Sequence, residues 1–469
     1  MDKFYRQTNW SGGISDSDVV GVKGSLADAV GVDVRTEPGI LKVAQALEKK
    51  SSGTVTDFCK YALLCSTGSA YFFGDTGIIY ERKTSGGYGT VHIDSKGTIK
   101  GCGEYDGYIY WATDDSLRRI ATGSSWASGV VAWGSLTASD THQMTANGLF
   151  LYILNSTKIA SVDETGTLTL GGTVDVTLGE LADAYRYSCI TNFGLDVLMG
   201  TKSVSGAEES YICRWDTVSP SWTSLDLIPE KSINAFITVD NYVLAQAGNA
   251  GNLYLFTGEE LEKFRRIKGD YDNKSMTMYP GSVCQFRGFG MFGVSNLYGN
   301  PLNQGVYTLG QYSKDFPMSL VLEYPTSTGS LYTTEIGGLL SSGTWLAVPW
   351  KYNSTYGIDE ISWAKKYTTA YVKTLAIGGS RHDQKEFKNY VVSYKEHPSG
   401  TDITLNYYKN YSSSLGTITL YEQTGYNKWV ADESVEAGVM QFKIAFSSSS
   451  NDAPEIEDLY ATWNERDVL

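Results

Sequence analysis

Charge is scarce in this chain: Asp, Glu, Lys and Arg together make up 19% of its 469 residues. Even so, no apolar run approaches the ~18 residues that a membrane-crossing helix needs. The opening MDKFYRQTNW lacks the basic-then-apolar layout of a signal peptide, so a soluble protein made in a cytosol is expected. Proline is rare as well, at 10 residues. Runs of Ala, Leu, Glu and Lys, which long helices need, are missing. The best helical candidate is the short stretch around SLADA (25–29).

Cysteine and histidine are equally thin. The six cysteines (59, 65, 102, 189, 213, 284) include no Cys-x-x-Cys pair, so no zinc signature is present. In DFCKYALLCST, Cys59 and Cys65 stand an even number of residues apart and are expected on one face of a strand. On a straight strand they are too far apart to bond. All six read as buried, reduced, small hydrophobes. The four histidines (92, 142, 382, 397) are isolated from one another.

Basic charge is outweighed, with a formal net charge of −14. That excludes a groove that grips nucleic acid, which needs a basic footprint. An acidic channel through which nucleic acid slides without adhering remains compatible.

What the chain does have is 50 glycines and 33 tyrosines. This composition points to many short strands joined by tight turns, an all-β chain. One phrase recurs: an apolar-aromatic strand, a turn of small residues, and a second strand with Tyr, Ile or Leu. Its copies begin at 70 (AYFFGDTGIIYER), 108 (YIYWATDDSLRRI), 150 (FLYILNSTKIASV), 196, 242, 290 and 344, in steps of 38 to 54 residues. That spacing is close to the ~40–50 residues of a four-stranded propeller blade. IDSKGTI (93–99) and VDETGTL (162–168) share one turn form, apolar-Asp-x-x-Gly-Thr-apolar. A type I turn followed by a left-handed glycine gives this form. About seven blades are expected over 53–362. Beyond 363 six alternating strands, among them DITLNYYKN and VMQFKIAFSSSS, read as a β-sandwich or jelly-roll-like domain.

Candidate chemistry is sparse. NWSGGISDSDVVGVKGSLADAVGVDVRTEPGILKV (9–43) is rich in glycine, but Lys23 precedes Gly24 and no long helix follows, so it is not a phosphate loop. Asp114-Asp115, Glu259-Glu260 and Asp270/Asp272 are the acid pairs a propeller glycosidase would use. Adjacent acids in turns are more simply solvated charges. His382-Asp383 reads as a polar turn, and GDYDNKS (269–275) lacks the closing Glu of a calcium loop. Trp111, Trp126, Trp133, Trp222, Trp345 and Trp350 could stack on sugars, although rings of this kind mostly pack between blades. No catalytic, metal-binding or cofactor-binding residue is assigned, and no cofactor is expected.

The opening WSGGISDSD followed by SLADAVGVDVRTEPGILKV resembles the start of bacteriophage tail propeller proteins. The closing VMQFKIAFSSSSNDAPEIEDLYATWNE is similar to their last strands, and the layout resembles the tail nozzle or tail hub proteins of short-tailed phages. The resemblance implies a non-enzymatic structural protein of the virion, assembled in the host cytoplasm. It would form a ring with itself, usually of six copies, and dock onto an adjacent tail adaptor. DNA would pass through the ring transiently during ejection, without specific binding. A carbohydrate- or receptor-binding propeller is the alternative, and a glycosidase comes third.

A ring of blades must be fastened where it closes. Residues 1–52 are expected to do this. In the hairpin, Val32 and Val34 pair with Leu41 and Val43 around a turn in which Pro38 fixes the first dihedral and Gly39 takes the positive one.

Overall fold

A computed structural model describes residues 3–51, 53–170, 181–239, 242–268, 276–296, 304–328, 334–379, 383–449 and 451–465. These residues contain no α-helix, and the fold is all-β. The chain divides into two compact units. One holds residues 49–304 and 328–360, and the other holds 1–48, 305–327 and 361–469.

The first unit is a β-propeller. Five antiparallel four-stranded sheets follow one another in sequence order and serve as blades 1 to 5. Their second strands, Ala70–Gly74, Tyr108–Ala112, Phe150–Asn155, Asp196–Ser203 and Tyr242–Ala247, begin where the sequence repeat begins. Blade 6 contributes the hairpin Val283–Phe286 and Phe289–Val294. Blade 7 is built on Leu340–Ser342, Trp345–Tyr352 and Thr355–Lys366. First strands of successive blades lie side by side around the ring, and Leu340–Ser342 comes back against Cys59–Leu64 of blade 1. At that closure Gly338 donates its N–H to the Cys59 carbonyl (2.9 Å).

The blades hold together because each presents alternate apolar residues to its neighbour. Tyr61, Phe73, Trp111 and Ile120 fill the gap between blades 1 and 2. Tyr110, Leu117, Ile153 and Val162 fill the next, and Tyr152, Tyr187, Met199 and Trp215 the one after. Burying one such side chain stabilises by roughly 1.5–3 kcal/mol, so these interfaces supply most of the adhesion.

Cys59 and Cys65 do not share a face. The pairing of Cys59–Leu64 with Ala70–Gly74 slips between Cys59 and Tyr61, and this bulge reverses the alternation. Cys59 therefore packs toward blade 7 and Cys65 toward blade 2. All six cysteines are free thiols.

The second unit is a two-sheet β-sandwich. One sheet runs Lys3–Gln7, Glu455–Glu465, Lys385–Glu396, Lys428–Ala431, Tyr421–Glu422. The other orders Gly305–Gly310, Ser319–Pro325, Ser25–Val30, Tyr371–Thr374, Met440–Ser447, Asp402–Lys409 and Leu415–Ile418. Phe442 of the second sheet touches Tyr5 and Tyr390 of the first (6.5 and 5.7 Å between ring centroids). The SLADA segment is thus a strand, not a helix. It lies between Ser319–Pro325 and Tyr371–Thr374, and almost every residue of it is buried, which outweighs a short stretch of helix propensity.

The hairpin of residues 31–43 forms, with Val32 opposite Val43 and Asp33 opposite Lys42. Its role differs from the one expected. Val32, Val34, Leu41 and Val43 are buried in the sandwich unit, where Leu41 bridges Ile456. Pro38 and Gly39 sit in a turn closed by Ile40 N–H to the Glu37 carbonyl (2.8 Å). The positive φ of the segment falls on Gly31 (67°), not Gly39. Propeller closure is performed a few residues later. Lys50 donates to the Ile358 carbonyl of blade 7 (3.0 Å), and Ile358 N–H donates to Ser51 Oγ (2.7 Å). Residues 305–327, expected within the propeller, belong to the sandwich because Ser319–Pro325 pairs in its sheet at Val30.

Candidate functional site

Side chains of the chain itself reach between blades across the axis of the propeller. Gln143, just ahead of blade 3, donates to the Pro280 carbonyl ahead of blade 6 (3.2 Å) and accepts from Ile190 N–H of blade 4 (2.9 Å). Tyr61 of blade 1 meets Thr141 Oγ1 (3.3 Å). Lys60 pairs with Asp75 and lies 5.2 Å from the Tyr279 ring. Blades 3 and 6 stand on opposite sides of the ring, so these bonds cross the axis.

Beside blade 1 runs a groove of about 430 Å³, lined by Thr90–Ile93, Trp126 and Val130. Trp126 is fixed there by Tyr71, Trp111 and His92 (5.1, 5.5 and 6.0 Å). Under it the buried Asp94 accepts from Trp111 Nε1 (2.8 Å) and forms an ion pair with Arg118, whose Nε lies 2.9 Å away. Burial, with help from Arg118, holds the His92 imidazole below its ordinary pKa. Asp94 belongs to IDSKGTI, which connects blades 1 and 2, whereas VDETGTL is a hairpin inside blade 3. Gly97 and Gly166 both carry positive φ (82° and 78°).

The acid pairs do not converge. Asp114 is exposed and paired with Lys100 (2.7 Å), and Asp115 accepts from Ser116 Oγ (2.9 Å). Glu259 and Glu260 stand in an exposed turn of blade 5. Asp270, Asp272 and His382 lie outside the described residues. Among the described residues no group of three His, Cys, Asp or Glu could hold a metal ion. Trp111 and Trp350 are buried, and Trp133, Trp222 and Trp345 pack partly buried against blade cores.

Two buried polar groups had no sequence signature. His142 ahead of blade 3 sits between the Leu154 and Asp114 carbonyls (2.7 and 3.0 Å). Burial lowers its pKa, against the opposing pull of those two carbonyls. In the sandwich unit Arg35 pairs with Glu323, whose carboxylate also accepts from Thr308 Oγ1 (2.9 Å). Burial lowers the Arg35 pKa, and Asp33 opposes it. An Arg two residues after Asp in a turn reads from sequence as solvated surface.

No protein-family model matches the chain, and no curated protein matches it. Among solved structures it is similar to the extracellular domain of a one-component system of B. thetaiotaomicron, at 13% identity and TM-score 0.46, over 83% of this chain and 51% of that one. It is also similar to the WD40 domain of Neurospora crassa Pan2, at 10% identity and TM-score 0.44, over 68% of this chain and 95% of that one. The chain spans about half the length of the first of these.

Proposed function

We propose that this propeller module is a structural, non-enzymatic component of a phage tail, a nozzle or hub through which DNA leaves the particle. The sequence resemblance suggests the reading. One structural observation carries it further: the sandwich is laced from three separate pieces of chain, 1–48, 305–327 and 361–469. Strand Ser25–Val30 is clasped between Ser319–Pro325 and Tyr371–Thr374. A unit fastened in this way transmits load between distant parts of the chain, as a tail component must. Because Gln143 bridges the propeller axis to the Pro280 carbonyl, the DNA path on this reading runs between copies, in a ring of about six. The net charge of −14 keeps phosphate from sticking to its walls.

Electron microscopy of the purified chain across a concentration series tests this. Annular particles with an open centre are expected. Compact single particles at every concentration would remove the ring.

A saccharide- or receptor-binding module is the second reading. The groove beside Trp126 favours it, since a pinned indole offers a flat stacking surface. Glycan-array binding that is lost in Trp126→Ala would bring this reading forward.

A further inference from the structure

In a propeller blade the turn between strands 1 and 2 and the turn between strands 3 and 4 project from the same end. Across blades 2 to 4 these turns carry an unusual group of residues. Leu149 and Phe150 stand at the tip of blade 3, and Leu195 at the tip of blade 4, with exposures of 62%, 37% and 86%. Val218 follows on the second turn of blade 4, at 76%. The corresponding turns elsewhere are polar: Ser66-Thr67-Gly68-Ser69 in blade 1, Arg287-Gly288 in blade 6 and Ser342-Gly343-Thr344 in blade 7. Scattered exposed leucines need no explanation, but neighbouring ones on adjoining turns do.

These tips are held in place. Tyr105 of blade 2 donates its hydroxyl to the Leu149 carbonyl. Asn147 of blade 3 donates to the carbonyls of Leu195 and Asp196 (3.0 and 3.2 Å). Asn192 of blade 4 returns a bond to the Ala146 carbonyl (2.7 Å). The tips of blades 3 and 4 are stapled to each other and to blade 2, with the apolar side chains of Leu149, Phe150 and Leu195 left facing water. A surface ordered before binding loses little entropy when it binds.

The rim is acidic. Asp163 lies directly opposite Phe150 in the blade 3 ladder, and Asp106 and Glu164 are exposed beside Tyr105. The cations on this face are already engaged. Arg119 stacks on Tyr108 and Trp133 (4.4 Å to each ring), and Arg214 pairs with Asp196.

We infer that the turn face of blades 2 to 4 is a docking surface for a different protein, one that presents leucine- or phenylalanine-like side chains flanked by lysine or arginine. Charge complementarity selects this partner over a second copy. Two copies meeting isologously through this face would bring the acidic rims of Asp106, Asp163 and Glu164 together, which costs affinity. The inference stands whether or not the chain belongs to a phage tail.

The test uses the full chain and a fluorescein-labelled peptide with alternating lysine and leucine, followed by anisotropy. The peptide is expected to bind the wild type, and the double variant Leu149→Ser/Leu195→Ser should weaken binding at least about tenfold. Val20→Ser, an equally exposed apolar residue of the sandwich unit, should change it less than about twofold. Asp106→Asn/Glu164→Gln should weaken binding and flatten its dependence between about 50 and 500 mM salt. Equal binding by wild type and Leu149→Ser/Leu195→Ser would overturn the inference, because attraction would then be to bulk negative charge. Absence of binding up to roughly 1 mM would overturn it as well. Wild-type self-association abolished by Leu149→Ser/Leu195→Ser would replace the basic partner with a second copy.

Discussion

Arg35 and Glu323 form an ion pair across 288 residues of sequence, with only 2% and 6% of their side-chain surfaces exposed. The pair ties the residue 31–43 hairpin to strand Ser319–Pro325 inside the sandwich. Removing one partner of a buried pair leaves an uncompensated charge, which costs about 3–5 kcal/mol. Arg35→Met should therefore lower the unfolding free energy by about that much in urea titration. Arg35→Met/Glu323→Leu should recover most of the loss, since an apolar replacement of both partners is close to neutral.

Gly31 combines a φ of 67° with the Tyr367 ring packed on its Cα, so an added Cβ would lie 2.1 Å from Tyr367 Cδ1. Gly31→Ala should destabilise by roughly 1–3 kcal/mol. Gly31→Ala/Tyr367→Ala relieves the clash but not the dihedral, so it should differ from Tyr367→Ala by only about 1 kcal/mol. Thermal melts of the three variants measure both terms.

Closure of blade 7 depends on a serine. Ser51 is 1% exposed and accepts the Ile358 N–H. Ser51→Ala strands that donor and should cost about 1–3 kcal/mol. Hydrogen exchange at Ile358 should accelerate in the variant, while exchange at buried strands of blade 4 should be unchanged.

Stability should fall in mild acid. Burial depresses the folded pKa of His142 and of His92, so the unfolded chain binds protons more readily below its ordinary histidine pKa of about 6.5. The stability these neutral rings contribute is present above that pH and is lost as pH falls toward the folded values. The melting temperature should drop between pH 7 and pH 5, and His142→Gln should shallow the slope. An unchanged slope would remove His142 from the account.

The thiols should be silent to Ellman's reagent in the folded state. Burial pushes the Cys65, Cys189 and Cys284 thiols up to about 12, and Cys59 well above its ordinary value. Thiolate is the reactive form. All six cysteines should react once the chain is denatured.

Much of the propeller was legible because its repeat is local. Each blade carries an apolar strand, a tight turn and a second strand, and the second strands of blades 1 to 5 begin at the positions the phrase marks. What was not legible depended on partners distant in sequence. Ser25–Val30 is a strand because Ser319–Pro325 and Tyr371–Thr374 flank it, and no local propensity reports that. The faces of Cys59 and Cys65 turned on one extra residue in a ladder. The hairpin itself was readable from Pro38 and the flanking valines, but its docking place was not, since buried apolar residues fit either unit equally well. The docking face of blades 2 to 4 was hidden for a related reason. Leu149, Phe150 and Leu195 look like core residues until the turns around them are seen to point outward.

The three-piece construction of the sandwich also bears on how the protein is made. Strand Ser25–Val30 leaves the ribosome early, but the strand that will flank it, Tyr371–Thr374, follows more than three hundred residues later. At about 5–20 residues per second, the edge of the early strand that Tyr371–Thr374 will cover stays open for roughly 20–70 s. Over that interval most of the blade sequence is synthesised. Nascent propeller and unpartnered strand coexist on one ribosome, and translation speed becomes a determinant of yield.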